Sequence, residues 1–163
     1  MILIGLGSNL NGPWGTPQQA VERALAELNT GPIRLLRSST LIITAPFGRK
    51  NQPPFVNAAA LVETHLSPDA LLHRLHMIEH RAGRQRRLRW GPRTLDLDLL
   101  DYNGLKRARR TLSIKPLVLP HPGITQRLFV LQPLAEIVPR WKHPINHETA
   151  IFTIQKRYNL KPI

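Results

Sequence analysis

The order of predicted elements gives an α+β fold of the ferredoxin-like kind, a mainly antiparallel sheet with helices packed on its faces. Two observations carry that expectation. Short apolar or alternating runs at 1–6, 33–44, 55–65 and 95–100 read as strands, and capped helical repeats begin after Thr16 and Ser67, so the order runs strand, helix, strand, strand, helix, strand. The chain has 163 residues, 42% of them hydrophobic, with no internal repeat or linker, so 1–163 is expected to be a single domain with a real core.

The first strand is the apolar run from Met1, which passes through Gly5-Leu6-Gly7-Ser8-Asn9 into a loop ending at Gly15. Those glycines make no nucleotide fingerprint, because a third Gly for a dinucleotide motif and the Gly-Lys-Ser/Thr of a P-loop are both missing. Thr16-Pro17-Gln18-Gln19 is a helix start: a Thr N-cap, a Pro in the first turn and a Gln to close a capping box. Val21, Ala24, Leu25 and Leu28 supply its buried stripe. The run 33–44 is rich in Leu, Ile, Ser and Thr and is expected to be one strand ending at Ala45-Pro46. A loop over 45–54, with three prolines, a glycine and Arg49-Lys50, leads to the strand 55–65. Ser67-Pro68-Asp69 caps a second helix with Leu71, Leu75, Ile78 and Ala82 on one side and Gly83 as its stop. Tyr102-Asn103-Gly104 signals a hairpin that pairs the preceding strand with Leu105 onward. Beyond it, 117–123 reads as extended, 125–137 as a helix broken by Pro133, and 147–158 as a last helix.

Composition narrows the setting. Lys and Arg total 23 against 10 Asp and Glu, a formal charge of +13, so the surface attracts anions. Without cysteine the chain has neither disulfides nor thiolate metal sites. The apolar start is too short for a signal sequence and no run reaches the roughly 18 residues of a membrane span, so the expected location is the cytoplasm, with no membrane partner.

The chemistry is concentrated in Arg89-Trp90-Gly91-Pro92-Arg93-Thr94-Leu95-Asp96-Leu97-Asp98. Strict alternation from Leu95 sends the leucines to one face of a strand and leaves Asp96 and Asp98 together on the other. Two like charges so placed in a basic chain call for a cation between them, and a hard divalent ion, Mg2+ foremost, prefers such oxygen ligands. Six arginines from Arg81 to Arg93 precede the pair, and their planar guanidinium groups match phosphate oxygens. The combination points to Mg-nucleotide chemistry.

Four stretches also carry a resemblance: Gly5-Leu6-Gly7-Ser8-Asn9-Leu10, Gln52-Pro53-Pro54-Phe55-Val56-Asn57-Ala58-Ala59, the Arg-Trp-Gly-Pro-Arg block and Pro120-His121-Pro122. In that order they resemble the 6-hydroxymethyl-7,8-dihydropterin pyrophosphokinases of folate biosynthesis. The resemblance implies transfer of diphosphate from ATP to the hydroxymethyl oxygen of 6-hydroxymethyl-7,8-dihydropterin, giving AMP, with two Mg2+ ions. It implies Asp96 and Asp98 as metal ligands, Arg84 and Arg93 at the triphosphate, and His121 and Arg127 at the ATP phosphates. The helix bearing His76 and Glu79 is then expected beside the nucleotide. On the pterin side, Phe55 and Phe129 match stacking positions, Thr44 and Asn57 the ring edge, Pro46 and Phe47 the adjoining loop, and Trp90 a cover over the closed site. Phe55 stands where the best-known members have Tyr, keeping the stack without the hydroxyl. For the pterin hydroxyl itself, Asp98 lies nearest to the role of activating group, and the two loops at 45–54 and 84–92 are expected to close over the substrates. The chain is expected to act as a monomer.

Two other classes fit parts of the sequence. His76-Met77-Ile78-Glu79-His80 has the His-x-x-Glu-His spacing of an inverted zincin, with no obvious third ligand downstream. A ferredoxin-like sheet with +13 charge also describes RNA-binding modules, but their aromatic-rich strand signature is absent, so nucleic acid is not expected as the primary partner.

Overall fold

A computed structural model describes residues 1–48, 50–85, 91–108 and 116–159. In chain order these form β1 (Ile2–Ser8), α1 (Pro17–Glu27), β2 (Ile33–Ser38), β3 (Ile42–Thr44), β4 (Phe55–Thr64), α2 (Pro68–Arg81), β5 (Asp96–Tyr102), a 3-10 turn (Ile124–Gln126), α3 (Leu128–Ile137) and α4 (Ala150–Tyr158). The sheet is ordered β2-β4-β1-β5, with β3 also paired to β4, and every ladder is antiparallel. This is the predicted ferredoxin-like α+β arrangement.

Side-chain alternation divides the core into two layers. Ile2, Ile4 and Leu6 of β1 and Leu97 and Leu99 of β5 face Val21, Ala24 and Leu28 near α1 and Leu71, Leu75 and Ile78 of α2, all buried. Each large side chain so buried contributes about 1.5–3 kcal/mol. Leu3, Ala59 and Leu100 point the other way, against Val130, Leu131, Leu134 and Ile137 of α3. The helix starts follow the sequence. Thr16 and Gln19 form the reciprocal capping box of α1, and Ser67 accepts from the Ala70 amide at the start of α2. After α2, Gly83 takes the left-handed conformation, φ +79°, that ends a helix readily.

Four expectations are corrected, three of them by contacts distant in sequence and the last by a local cap. The run 33–44 is two strands, because the ladder of β2 slips between Leu35 and Arg37 and the chain then turns inward at the buried Ser39. Ser39 exchanges hydrogen bonds with Ala59, while the Thr40 amide and hydroxyl both donate to Glu136 at 2.9 Å. Asn103 and Gly104 make the expected tight turn, both at positive φ, with the Leu105 amide donating to Tyr102 at 2.9 Å. Among the described residues, however, no ladder joins 105–108 to β5, and Arg107 pairs with Leu119 instead. Pro133 does not break α3; it is buried against the sheet, and that packing offsets the hydrogen bond a proline cannot donate. The last helix starts at Ala150 rather than 147, because Thr149 caps it and His147 sits at φ +60° outside it.

Candidate active site

At one end of the sheet, on the face that α3 covers elsewhere, the register sets two rows of side chains across three strands. Asn57 of β4, Gly7 of β1 and Asp96 of β5 make one row, and Ala59, Gly5 and Asp98 the next. Glycine in the middle of each row leaves the floor between the flanking side chains open. A Cβ on Gly7 would lie 2.9 Å from Asn57 Oδ1. The result is a cleft of about 510 Å3, lined among others by Gly5, Gly7, Asn57, Asp96, Asp98 and His121. That volume suits a small-molecule site.

The two carboxylates differ sharply. Burial pushes Asp96 up, but Arg84 and Arg93, both hydrogen-bonded to it, outweigh burial and hold it below the ordinary carboxylate range. Burial and the neighbouring Asp96 charge push Asp98 up to about 7, with Arg127 opposing them. The Arg127 guanidinium and His121 Nε2 each stand 4.0 Å from it. Arg84 is shared: it donates to Glu79 at 2.6 Å as well as to Asp96, and those carboxylates raise its pKa against the lowering effect of burial. Glu79 is itself fixed, since the amide of Leu97 on β5 donates to it at 2.8 Å. Burial, with Arg127 alongside, holds His121 down to about 4, so its imidazole is neutral near pH 7.

The loops on either side meet at Asn9, a buried residue whose part the sequence did not disclose. Its side-chain oxygen accepts from the Arg93 amide at 2.8 Å, while its NH2 donates to Gln52 at 3.0 Å and to the Pro53 carbonyl at 2.9 Å. Beside it, Ser8 donates to the Thr94 carbonyl at 2.8 Å. The Gly-Ser-Asn segment, unremarkable as a nucleotide motif, thus joins the two loops that border the cleft.

Of the residues expected at the pterin side, Thr44, Phe47, Phe55, Asn57 and Phe129 line the cleft. The Asn57 amide donates to Thr44 Oγ1 at 2.6 Å. Phe47 and Phe129 meet edge to face at 6.2 Å, and the Arg127 guanidinium lies 5.7 and 5.9 Å from their ring centres. Pro46 instead borders a smaller hollow of about 230 Å3 that shares Phe47 and Phe129 with the main cleft and is lined also by Tyr158. His76, Glu79, Arg84 and Arg93 line the main cleft. Trp90, together with Arg86 and Arg87, lies outside the described residues. Gly5 and Gly7 stand within a sequence motif, but their function as spacers depends on register that sequence alone does not give.

The donor set fits Mg2+. Two hard carboxylates share a face, Asp98 holds its proton unusually tightly in the absence of a cation, and no cluster of three His, Cys, Asp or Glu occurs among the described residues. Mg2+ ordinarily takes one or two carboxylates and completes its shell with phosphate and water, so two are enough. Zinc is poorly served: His80 is exposed while His76 lines the cleft, and Glu79 is occupied by Arg84 and Leu97. An RNA platform is also disfavoured, because the sheet face such modules keep open is packed here by α3.

The chain is similar to known proteins. The sequence profile described as 7,8-dihydro-6-hydroxymethylpterin-pyrophosphokinase matches residues 3–139. The 2-amino-4-hydroxy-6-hydroxymethyldihydropteridine pyrophosphokinase of Pseudomonas aeruginosa is 40% identical over 144 residues, covering 88% of this chain and 83% of that one. Its counterpart from Methylorubrum extorquens is 42% identical over 136 residues, covering 83% and 81%. A crystal structure of Plasmodium falciparum HPPK-DHPS superposes with a TM-score of 0.75 at 14% identity, over 97% of this chain and 44% of that one.

Proposed function

The chain belongs to the 7,8-dihydro-6-hydroxymethylpterin-pyrophosphokinase family, and from that premise we propose which of its side chains carry the reaction. The enzyme is an ATP-dependent diphosphokinase of folate synthesis: the pterin hydroxymethyl oxygen attacks the β-phosphorus of ATP, the bond from that phosphorus to the α,β-bridging oxygen breaks, and AMP leaves. Such a transfer depends chiefly on holding the partners in line and neutralising charge.

In our reading the pterin lies between Phe55 and Phe129, with Phe47 and Pro46 at its outer side, Asn57 and Thr44 at its edge, and Trp90 over it. ATP lies along the helix bearing His76 and Glu79, its phosphates toward Arg84, Arg93, His121 and Arg127. The neutral His121 donates a hydrogen bond, and the arginines supply fixed charge where the leaving phosphate gathers it. Asp96 and Asp98 would hold two Mg2+ ions, which supply positive charge to the phosphate oxygens when bound. Glu79 also holds Arg84, so this arginine would stay in the cleft if Asp96 took a metal. We further infer that residues 1–163 act as one pyrophosphokinase domain, as a monomer, in the cytoplasm; no helix among the described residues is long and apolar enough to cross a membrane.

The observation that supports this reading is the row of Asn57, Gly7 and Asp96 beside the row of Ala59, Gly5 and Asp98, which leaves an open floor between Asn57 and a carboxylate pair. Incubation with Mg-ATP and hydroxymethyl-dihydropterin tests it. AMP and the pterin diphosphate are the expected products; ADP, or inorganic phosphate alone, would refute it.

A further inference from the structure

Gly123 is not needed for its backbone conformation. Its φ of −86° and ψ of −3° are open to any L-residue, and it is buried at the start of the 3-10 turn. What the glycine provides is space, beside a backbone amide donor that any residue but proline would also supply. A Cβ there would lie 2.7 Å from both Cζ and Nε of Arg127 and 3.1 Å from Nη1, so the guanidinium rests directly on the glycine backbone. From that rest it faces Asp98 at 4.0 Å and lies against Phe47 and Phe129. The Gly123 amide meanwhile donates to His121 Nδ1 at 3.0 Å. An Nδ1 that accepts leaves the imidazole proton on Nε2, the nitrogen that faces Asp98 at 4.0 Å. His121 is held from its other side by its own amide, which donates to Leu100 of β5 at 2.8 Å.

We infer that Gly123 is a positioning residue for the transfer: its bare backbone seats Arg127 and its amide sets the His121 tautomer, so that both donors face the phosphates together. The inference rests on the proposal that the triphosphate lies beside Asp98. Because the clash would fall on the far end of a flexible side chain, alanine at 123 is expected to move Arg127 rather than to unfold the turn.

The test is a double-mutant cycle on binding of the Mg2+ complex of α,β-methylene-ATP, which lacks the scissile oxygen, followed by calorimetry. Gly123→Ala is expected to weaken binding about tenfold, part of the value of a charge-assisted hydrogen bond, with the melting temperature nearly unchanged. In an Arg127→Ala background the same change should alter binding by less than about twofold, because the group it acts through is gone. Nitrogen-15 NMR of the ligand-free protein should show His121 protonated on Nε2. Gly123→Ala binding like the parent, an equal loss in both backgrounds, or a proton on Nδ1 would each overturn the inference while leaving the family chemistry intact. Arg127→Ala binding like the parent overturns it as well. A parent chain that does not bind the analogue removes the triphosphate reading beneath it, and the inference with it.

Discussion

Asp96 and Asp98 stand one row apart on the same strand face, yet their surroundings drive their protons in opposite directions. Asp96 has two arginines on it, whereas Asp98 has burial and a like charge against it, with the Arg127 guanidinium 4.0 Å away. Its folded pKa of about 7 lies above the ordinary 3.8, so between those values the metal-free folded chain keeps a proton that the unfolded chain has lost. Stability therefore falls as pH rises through that window, and the full cost remains above it. Asp98→Asn removes the cost. In EDTA at pH 8 the variant is expected to melt higher than the parent by about 3 °C, with the gain shrinking toward pH 4. Its turnover should nevertheless drop about a hundredfold or more, with a smaller loss in ATP affinity. Thermal scans across pH, with a parallel AMP assay, check both; a variant that melts lower at pH 8 would show that the Asp98 charge is not strained.

On the scale of elements, β1 does two jobs with one alternation. Its isoleucines and Leu6 fill the layer under α1 and α2, while Gly5 and Gly7 face the cleft. Gly7→Ala should leave the first job intact and disturb the second, because its Cβ would press on Asn57 Oδ1 at 2.9 Å. Asn57 is buried and tied to Thr44, so it has little room to yield. Pterin affinity is expected to fall about tenfold, the value of a displaced hydrogen bond, while the Kd for ATP alone stays within about twofold. Equal losses for both ligands would mean that the strand itself had shifted. Most element ends with a local cause are legible in the sequence, the Thr149 cap of α4 excepted. The capping box at Thr16, the Ser67 cap, the Gly83 stop and the Asp/Leu alternation are each written within a few residues. What stayed hidden depends on partners far along the chain: the break between β2 and β3 is fixed by Thr40 meeting Glu136, and Arg107 leaves its hairpin for Leu119. The glycine spacers were hidden for the same reason, since their neighbours belong to β4 and β5.

For the molecule as a whole, a net charge of +13 surrounds a cleft whose proposed ligand is strongly anionic. Charge of that size draws anions inward from beyond contact range and is screened over about 10 Å at 0.1 M salt. kcat/KM for Mg-ATP is therefore expected to fall several-fold between about 50 and 200 mM KCl, with kcat much less affected. Steady-state kinetics across that series decides it, and a salt-independent kcat/KM would deny the surface charge any part in capture. Composition announced this excess, and the Arg-Trp-Gly-Pro-Arg block announced the chemistry. Neither reveals how the cleft's borders are joined, which takes the fold to bring Asn9, Gln52, Pro53 and Arg93 to one place. With one amide gripping both borders, neither can swing outward without tugging its opposite number. In the proposed reading, ring and nucleotide are therefore expected to sense one another through that buried side chain, whichever of them binds first.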